Sequence, residues 1–294
     1  MATAVSMAPS SGTAGGEVVV DRVNKTYGDE YRSKLVVDDC SLVARSGRFT
    51  VLVGPSGCGK TTLINLIAGY ERPTGGRITL DGAEIVGPDH DRLVVFQEAA
   101  LFPWMSVLDN VMYGPLVQRK VSRADAKADA MAVLARVGLT EFRDRYPKQL
   151  SGGMQRRAEL ARALINQPRV LLMDEPFRGL DAMTRQLMQE YLLRLFETSA
   201  QTIVFVTSEI DEAILLADSL IVMSRSPTSA KAVFAVDLAR PRDIGIFKTR
   251  RYAELKDEVL TTLYEEAVGA FSNADGVKAD MVEAHRMRRT GGRA

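Results

Sequence analysis

The sequence has few of the features that mark an exported or membrane-spanning protein. It contains only two cysteines, Cys40 and Cys58, among 294 residues. Two cysteines are too few for a disulfide framework, and this number suits a reducing cytosol. Residues 1–16 carry no charge and lack the basic start and longer apolar centre of a secretion signal, so they predict a disordered tail.

Long apolar runs and an excess of charge of either sign are also missing. Nowhere do about eighteen apolar residues follow one another, so a membrane-spanning helix is not predicted. Lysine and arginine number 38 and aspartate and glutamate 37, which gives a net charge of +1. Without a basic stripe, this balance argues against nucleic acid as a partner. A role at a membrane would therefore be that of a peripheral subunit.

Short β-rich runs alternate with longer helical stretches, a pattern that favours α/β layers. The first candidate strand is Glu17–Val20, and the early strands follow one another closely, as in an antiparallel sheet. Later strands, such as Thr202–Val206, are separated by helices, as in a parallel sheet with crossovers. The chain therefore predicts two kinds of sheet.

A glycine-rich loop, GPSGCGKT, follows the apolar strand end Val51–Val53 and precedes an apolar-faced helix. Glycines let successive backbone N–H groups curve around phosphate oxygens, and the next helix directs its positive end at them. Lys60 adds a full charge for the terminal phosphates, and the Thr61 hydroxyl suits Mg²⁺. The predicted nucleotide-binding residues of this segment are Gly54, Pro55, Ser56, Gly57, Cys58, Gly59, Lys60, Thr61 and Thr62.

A second apolar strand, Val170–Met173, ends in two acids, Asp174 and Glu175. An aspartate at the carboxyl end of a buried strand is suited to Mg²⁺. The glutamate beside it is suited to orient and deprotonate the attacking water. We therefore predict that Asp174 serves the metal and that Glu175 is the general base.

A third element, LSGGMQ, precedes the helix that carries Arg156. A serine and two glycines at a helix start can form a second anion site, with backbone N–H groups and the serine hydroxyl as donors. For so short a string an ordinary helix cap is the alternative. Its place just before the Asp-Glu strand favours the anion site.

The motifs together resemble the ATP-binding cassette (ABC) family over residues 17–240 and occur in the family's order. The matching strings are GPSGCGKT, Gln97, LSGGMQ, LLMDEP and Gly179-Leu180-Asp181. The resemblance implies two cassettes that enclose two ATP molecules, each between one subunit's phosphate loop and its partner's LSGGQ-like string. The residues donated in trans would be Ser151, Gly152, Gly153 and Gln155.

The resemblance also implies roles for three single residues. Gln97 would touch magnesium and the attacking water and face a membrane subunit. Asp181 would communicate across the dimer. Tyr27 would stack on adenine, a contact that contributes on the order of 1–2 kcal/mol by analogy with aromatic pairs. A surface tyrosine at a strand end is the alternative for Tyr27.

The expected fold is α/β: a P-loop NTPase with a RecA-like core, an antiparallel β subdomain and an inserted α-helical subdomain. The cassette is predicted over residues 17–241, with the helical subdomain at about 99–157. Residues 242–294 are predicted to be a C-terminal helical extension, in which Tyr252–Phe271 shows the pattern of an amphipathic helix.

The string LFPWMSV and the DEPF and LDAMTR strings resemble the ATPases of nitrate, sulfonate, taurine and bicarbonate importers. This resemblance implies a peripheral ATPase at the cytoplasmic face of the inner membrane of a bacterium. Its partners would be permease subunits, a second cassette and, indirectly, a solute-binding protein. Phe102 and Trp104 would receive a helix of the permease; packing in the helical subdomain is the alternative.

Two residues depart from the family pattern. Ser208 stands where the family has a histidine that contacts the γ-phosphate, and the only histidines are His90 and His285. Arg178, together with Gly179, stands where the family more usually has a Gly-Ala pair. Two interpretations stay open: a working but slow ATPase that uses Ser208, or an impaired regulatory cassette paired with an intact one. A soluble cassette that acts on nucleic acid is a weaker alternative.

Overall fold

The computed structural model describes residues 15–28, 32–118, 121–199 and 201–275, with side chains to residue 266 in the last helix. Within these ranges the chain forms two β-sheets flanked by helices. Buried hydrophobic side chains gather in three clusters, two against the sheets and one among helices. No helix in these ranges is both long enough and apolar enough to cross a bilayer.

Strands and helices follow one another with mostly short connections. The strands are β1 (Val18–Gly28), β2 (Ser33–Ala44), β3 (Phe49–Val53), β4 (Gly75–Leu80), β5 (Ala83–Glu84), β6 (Arg92–Val95), β7 (Val170–Asp174), β8 (Thr202–Thr207), β9 (Ser219–Met223) and β10 (Ala230–Ala235). The helices are α1 (Lys60–Ala68), α2 (Val107–Val117), α3 (Arg123–Arg136), α4 (Gly152–Leu164), α5 (Ala182–Glu197), α6 (Ile210–Leu216) and α7 (Arg250–Asp275).

The larger sheet has the strand order β10-β9-β3-β8-β7-β6. Strands β3, β7 and β8 are buried along their whole length and are almost wholly apolar, as central parallel strands are when helices cover both faces. Neighbours from β9 to β6 pair in parallel, and only the edge strand β10 is antiparallel. The carboxyl ends of five strands therefore meet at one edge of the sheet.

The smaller sheet is antiparallel, with the order β2-β1-β4-β5. Strand β1 extends to Gly28, eight residues beyond the predicted end at Val20. Its pairing shifts register between Val20 and Thr26 against β2 and between Asp21 and Asn24 against β4, where polar residues interrupt the apolar run. The last residues of β1 place Tyr27 beside α1. Tyr27 is therefore the residue of this sheet that is a candidate for the nucleotide site.

Helices α2, α3 and α4 enclose the third hydrophobic cluster. Both α2 and α3 begin at serines: Ser106 accepts a hydrogen bond from Asp109 N at 3.1 Å, and Ser122 accepts one from Asp125 N at 3.2 Å. Each aspartate also places a negative charge in the first turn, where the helix dipole favours it. These caps fix where the two helices begin. With α4 they form a helical unit around their own hydrophobic cluster.

Helix α7 folds back onto the core rather than standing away from it. Tyr252, Leu255 and Val259 are buried in the cluster beneath the large sheet. The Tyr252 hydroxyl donates to Asp211 Oδ1 at 2.5 Å, which ties α7 to α6. The remainder of the predicted extension, residues 276–294, lies outside the described residues.

The predicted disordered tail also lies outside the described residues for positions 1–14. Gly15 and Gly16 are described and are buried. Ser46 Oγ donates to Gly15 O at 2.6 Å, and Thr202 Oγ1 donates to Gly16 O at 2.8 Å. The prediction is therefore wrong for its last two residues, because two hydroxyl groups of the core bind their backbone.

Candidate nucleotide site

The predicted site residues follow neighbouring parallel strands and therefore lie at one edge of the large sheet. Val53, the last residue of β3, pairs with Thr207 of β8, and Asp174 of β7 pairs with Val206. The chain leaves β3 into the phosphate loop, β7 into Glu175 and β8 into Ser208. Gln97 follows the adjacent β6 by the same rule. Ligands of open α/β sheets bind at such an edge.

The phosphate loop has the backbone conformation that its glycines predict. Gly57 has φ of +75° and Gly59 has φ of +122°, values that side-chain-bearing residues rarely adopt. A Cβ at Gly59 would meet Thr228 and Val36 at 3.0–3.3 Å, whereas one at Gly57 would face open space. Gly57 thus borders the space into which a ligand fits.

Lys60 is the charged residue of this loop and is only 5% exposed. Its ammonium donates to Gly54 O at 2.9 Å and to Pro55 O at 2.8 Å. These carbonyls hold the buried cation beside the loop, and its charge also acts on Asp174, whose pKa it lowers. Helix α1 begins here at Gly59, and no side chain caps its described first turn. The positive charge of Lys60 and the unbonded backbone N–H groups of the first turn of α1 therefore face the same space.

Asp174 and Thr61 form the oxygen-rich side of the site. Burial raises the pKa of Asp174; its hydrogen bond with the Thr61 hydroxyl opposes the rise, and the charge of Glu175 adds to it. A hydroxyl and a carboxylate from two different elements thus converge beside the phosphate loop. Oxygen donors of this kind suit Mg²⁺, so these residues fit the ion. Gln97, which follows β6, is exposed at the same edge of the sheet.

Glu175 is buried and adopts a left-handed backbone conformation, with φ of +42°. Its N–H donates to Val206 O at 2.9 Å, which fixes the backbone against β8. Its carboxylate accepts from Arg178 Nη1 at 2.9 Å, and the Arg178 side chain is 57% exposed. The predicted general base is therefore held in an ion pair by the residue that departs from the family pattern.

Replacing Arg178 with glutamine is expected to raise basal ATP turnover about two- to fivefold. Half-exposed ion pairs contribute about 0.2–1 kcal/mol, so freeing the Glu175 carboxylate has an effect of that size at most. Phosphate release by the purified protein at saturating ATP measures it, with Arg194→Gln, an exposed arginine of α5, as the control. A tenfold fall would instead show that Arg178 contributes charge to the reaction.

Arg156 and Glu159 connect α4 to the segment that carries Gln97, a contact that the sequence did not indicate. Arg156 is buried in α4 and pairs with Glu159 Oε2 at 2.5 Å. Its guanidinium also donates to Phe96 O at 2.6 Å and to Gln97 O at 2.5 Å. The helix that begins at Ser151 is thereby joined to the loop that carries Gln97.

Replacing Arg156 with alanine is expected to lower the free energy of unfolding by about 3–5 kcal/mol. The change leaves the buried Glu159 carboxylate without its cation, and breaking a buried pair costs this much. Urea denaturation measures the loss, with Arg123→Ala, an exposed arginine of α3, as the control. The double variant Arg156→Met/Glu159→Met should recover most of the stability. A loss below 1 kcal/mol in the single variant would contradict the assignment.

The string Ser151–Gln155 begins α4, and its residues have different contacts. Ser151 Oγ accepts from Met154 N at 3.4 Å, a weak cap that leaves the hydroxyl proton free for another acceptor. Gly153 packs so closely on Thr184 that a Cβ would lie 2.6 Å from its methyl group. The Gln155 amide donates to Pro147 O at 2.9 Å and to Leu150 O at 3.3 Å. Gln155 thus shapes the loop from within its own chain.

Asp181 and Tyr27 also have structural contacts of their own. Asp181 caps α5 by accepting from Thr184 N at 3.0 Å, and hydrogen bonds with Thr184 lower its pKa. The Tyr27 hydroxyl donates to Glu71 Oε2 at 2.5 Å, and Lys25 Nζ lies 4.8 Å from the ring centroid. Tyr27 therefore lies beside α1 with its ring partly exposed.

Ser208, the residue at the position of the family's histidine, is exposed immediately after β8.

Comparison with known proteins agrees with this geometry. The family described as ABC transporter matches residues 37–178. The nitrate import ATP-binding protein NrtD of Synechococcus elongatus is 40% identical over 247 residues, 83% of this chain and 90% of NrtD. The taurine import ATP-binding protein TauB of a Jannaschia species is 42% identical over 237 residues, 78% of this chain and 87% of TauB.

A solved structure is similar as well. The ATP-binding cassette MJ0796, in a dimeric post-hydrolysis state bound to ADP and Pi, superimposes with a TM-score of 0.66 at 29% identity. The match covers 76% of this chain and all of that one. The predicted α/β P-loop fold is thus confirmed.

Proposed function

The chain belongs to the ABC transporter family and is an ATPase, and from that premise we propose that it energises an importer of a small anionic solute. The observation that carries the proposal is the convergence of the phosphate loop, Asp174 and Glu175 at one sheet edge. A nucleotide triphosphate bound there has its terminal phosphate next to a buried carboxylate.

ATP binding rests on the phosphate loop from Gly54 to Thr62. The loop N–H groups and the first turn of α1 surround the phosphates, and Lys60 exchanges its carbonyl partners for phosphate oxygens. Tyr27 lies beside the same helix with its ring available to adenine. Thr61, Asp174 and Gln97 would hold Mg²⁺, which would supply positive charge to neutralise the phosphates.

Hydrolysis needs one water placed in line with the terminal phosphate. The Glu175 carboxylate, once released by Arg178, orients that water and accepts its proton. The Ser208 hydroxyl follows the neighbouring strand and donates one hydrogen bond to the phosphate. Because a hydroxyl carries no charge, it replaces only part of what a histidine supplies.

We further propose that two cassettes close around ATP. Ser151 and Gly152 are exposed at the start of α4, so their donors can serve a partner's nucleotide, whereas Gly153 is buried. Asp181 begins α5 beside them, since Gly153 packs on Thr184. A change at one nucleotide therefore reaches the loop that faces the other.

The groove beside Trp104 is the proposed contact for a permease. Trp104 is 69% exposed, and with Tyr113, Leu116 and Val117 it lines a cavity of about 450 Å³. Exposed aromatic side chains of this kind suit a partner's helix. Phe102 packs against Tyr113, and the centroids of the two rings are 4.8 Å apart.

The solute class is proposed from the relatives' names, nitrate and taurine import. The complete assembly would comprise permease subunits, two cassettes at the cytoplasmic face of the membrane and, indirectly, a solute-binding protein. Co-expression with the candidate permease tests this. Nitrate or taurine uptake that requires both ATP and the Glu175 carboxylate supports the proposal. Uptake that persists with Glu175→Gln contradicts it.

An impaired regulatory cassette is the second candidate, favoured by the Arg178–Glu175 ion pair and by Ser208. It predicts ATP binding without turnover and requires a different, intact cassette as partner. Hydrolysis by the purified homodimer no faster than that of Glu175→Gln, with the permease present, would favour this candidate.

A further inference from the structure

A cleft of about 790 Å³ opens between the antiparallel sheet and the β9–β10 edge of the large sheet. Strands β1 and β2 form one wall, and β9, β10 and the segment after β10 form the other. The first residues of β3 form its floor. A cavity of this size accommodates a small organic molecule.

The cleft is not part of the nucleotide site. Its floor residue Thr50 stands near the start of β3, whereas the phosphate loop leaves the other end of that strand. A strand rises about 3.3 Å per residue, so Thr50 lies about 13 Å from Gly54. A ligand in the cleft can therefore be present together with ATP.

Positive charge exceeds negative charge around the cleft. Two aspartates of the lining are already paired: Asp218 with Arg240 at 2.8 Å, and Asp21 with Arg77 at 3.2 Å. The remaining charged residues of the lining are Arg45, Arg48, Arg240 and Arg242. In the described part of the chain, neither Arg45 nor Arg48 has an ion-pair partner. Two exposed guanidinium groups therefore lack a counter-charge.

Polar groups without partners lie at the bottom of the cleft. Thr50 is 0% exposed, and its hydroxyl has no hydrogen-bond partner in the described structure. Arg240 Nη1 is likewise buried without an acceptor, while its Nε and Nη2 bind Asp218 and Leu216 O. The Arg240 guanidinium also lies over the Phe196 ring, with its Cζ 4.7 Å from the ring centroid.

The upper walls are apolar. Val43 of β2 and Val233 of β10 are both exposed and line the cleft. Leu42 and Ile221 are buried residues that also border the cleft. The lining thus combines unpaired cations with hydrocarbon surface, which fits a molecule with an acidic head and an apolar body.

The two terminal segments outside the described residues carry no excess of negative charge. Residues 1–14 contain no acidic residue, and residues 276–294 contain five lysines and arginines but two acids. A separate anionic molecule therefore complements the lining better than either terminus does.

We propose that this cleft binds an amphipathic organic anion. Its carboxylate, sulfonate or phosphate pairs with Arg45 and Arg48, and its apolar body lies against Val43 and Val233. Arginine is suited to this contact because its fork-shaped guanidinium forms paired hydrogen bonds with such groups.

Isothermal titration of the purified full chain with 1-hexanesulfonate tests the proposal, with 1-hexanol as the neutral comparison. Wild-type protein should bind the sulfonate and not the alcohol. Arg45→Gln/Arg48→Gln should weaken binding at least tenfold, whereas Arg194→Gln/Arg250→Gln, which removes the same charge elsewhere, should not. Ala235→Trp fills the cleft without changing charge and should also abolish binding. Lys60→Met should leave it unchanged, because the phosphate loop is a separate site.

Three results would overturn the proposal. One is equal sulfonate binding by the wild type and by both cleft variants. Another is loss of binding in Lys60→Met. The third is binding to a lipid in place of a free anion. If the protein sediments with phosphatidylglycerol vesicles in a way that requires Arg45 and Arg48, but does not bind free hexanesulfonate, the cleft is a membrane contact instead.

Discussion

Glu175→Gln is expected to lower the rate of ATP hydrolysis at least 100-fold while ATP binding stays within about threefold of wild type. A positioned general base contributes about 10²–10⁴-fold to such a rate, and glutamine keeps the shape of the side chain but cannot accept the water's proton. The left-handed backbone at Glu175 and its N–H bond to Val206 O remain in place. Phosphate release and calorimetric titration with ATP measure the two effects separately.

The matched control is Glu141→Gln, which removes an exposed carboxylate from the helical unit. Its turnover should equal that of the wild type. Turnover by Glu175→Gln within threefold of wild type would place the general base elsewhere. A parallel loss of ATP affinity would mean that Glu175 shapes the pocket rather than the reaction.

Lys60→Met is expected to weaken ATP binding about 10- to 150-fold. Hydrogen bonds to charged groups contribute about 1.5–3 kcal/mol, and each 1.4 kcal/mol is a factor of ten. Lys60 is buried next to the phosphate loop with only carbonyl oxygens as partners, so its charge is directed at whatever anion enters. Titration with ATP in the Glu175→Gln background measures affinity without turnover.

Lys127→Met, a substitution on the exposed face of α3, controls for the loss of charge and should bind ATP as wild type does. Urea denaturation of Lys60→Met should give an unfolding free energy no lower than that of wild type, because the variant removes a desolvated cation. Unchanged ATP affinity in a folded Lys60→Met protein would remove the phosphate loop from the proposed mechanism.

Local patterns were sufficient to predict the central strands of the fold. Strand β3 has the bounds Phe49–Val53 because a continuous apolar run ends at the loop glycines. Strand β7 likewise ends where the sequence changes from Met173 to acids. In each case the residues that determine the structure are neighbours in sequence, so apolar runs and glycines identify them.

Contacts between distant residues could not be predicted in this way. Arg156 and Glu159 have the i, i+3 spacing of an exposed helical ion pair, yet they are buried, because the carbonyls of Phe96 and Gln97, about 60 residues earlier, lie over them. Strand β1 continues through polar residues because β2 and β4 pair with both its edges. The Arg178–Glu175 pair is local, but only the left-handed turn at Glu175 brings the two side chains together.

The hydrogen bonds from Arg156 to the carbonyls of Phe96 and Gln97 also link any movement of the Gln97 segment to the start of α4. Five residues of helix separate Arg156 from Ser151, a length of about 7.5 Å. If the loop at Gln97 turns this helix by about 10° around Arg156, the Ser151 hydroxyl moves by about 1.3 Å. A hydrogen bond spans only about 0.5 Å between its shortest and longest ordinary lengths. A rotation of about 10° would therefore be enough to make or break the hydrogen bond that Ser151 is proposed to form with a partner's nucleotide.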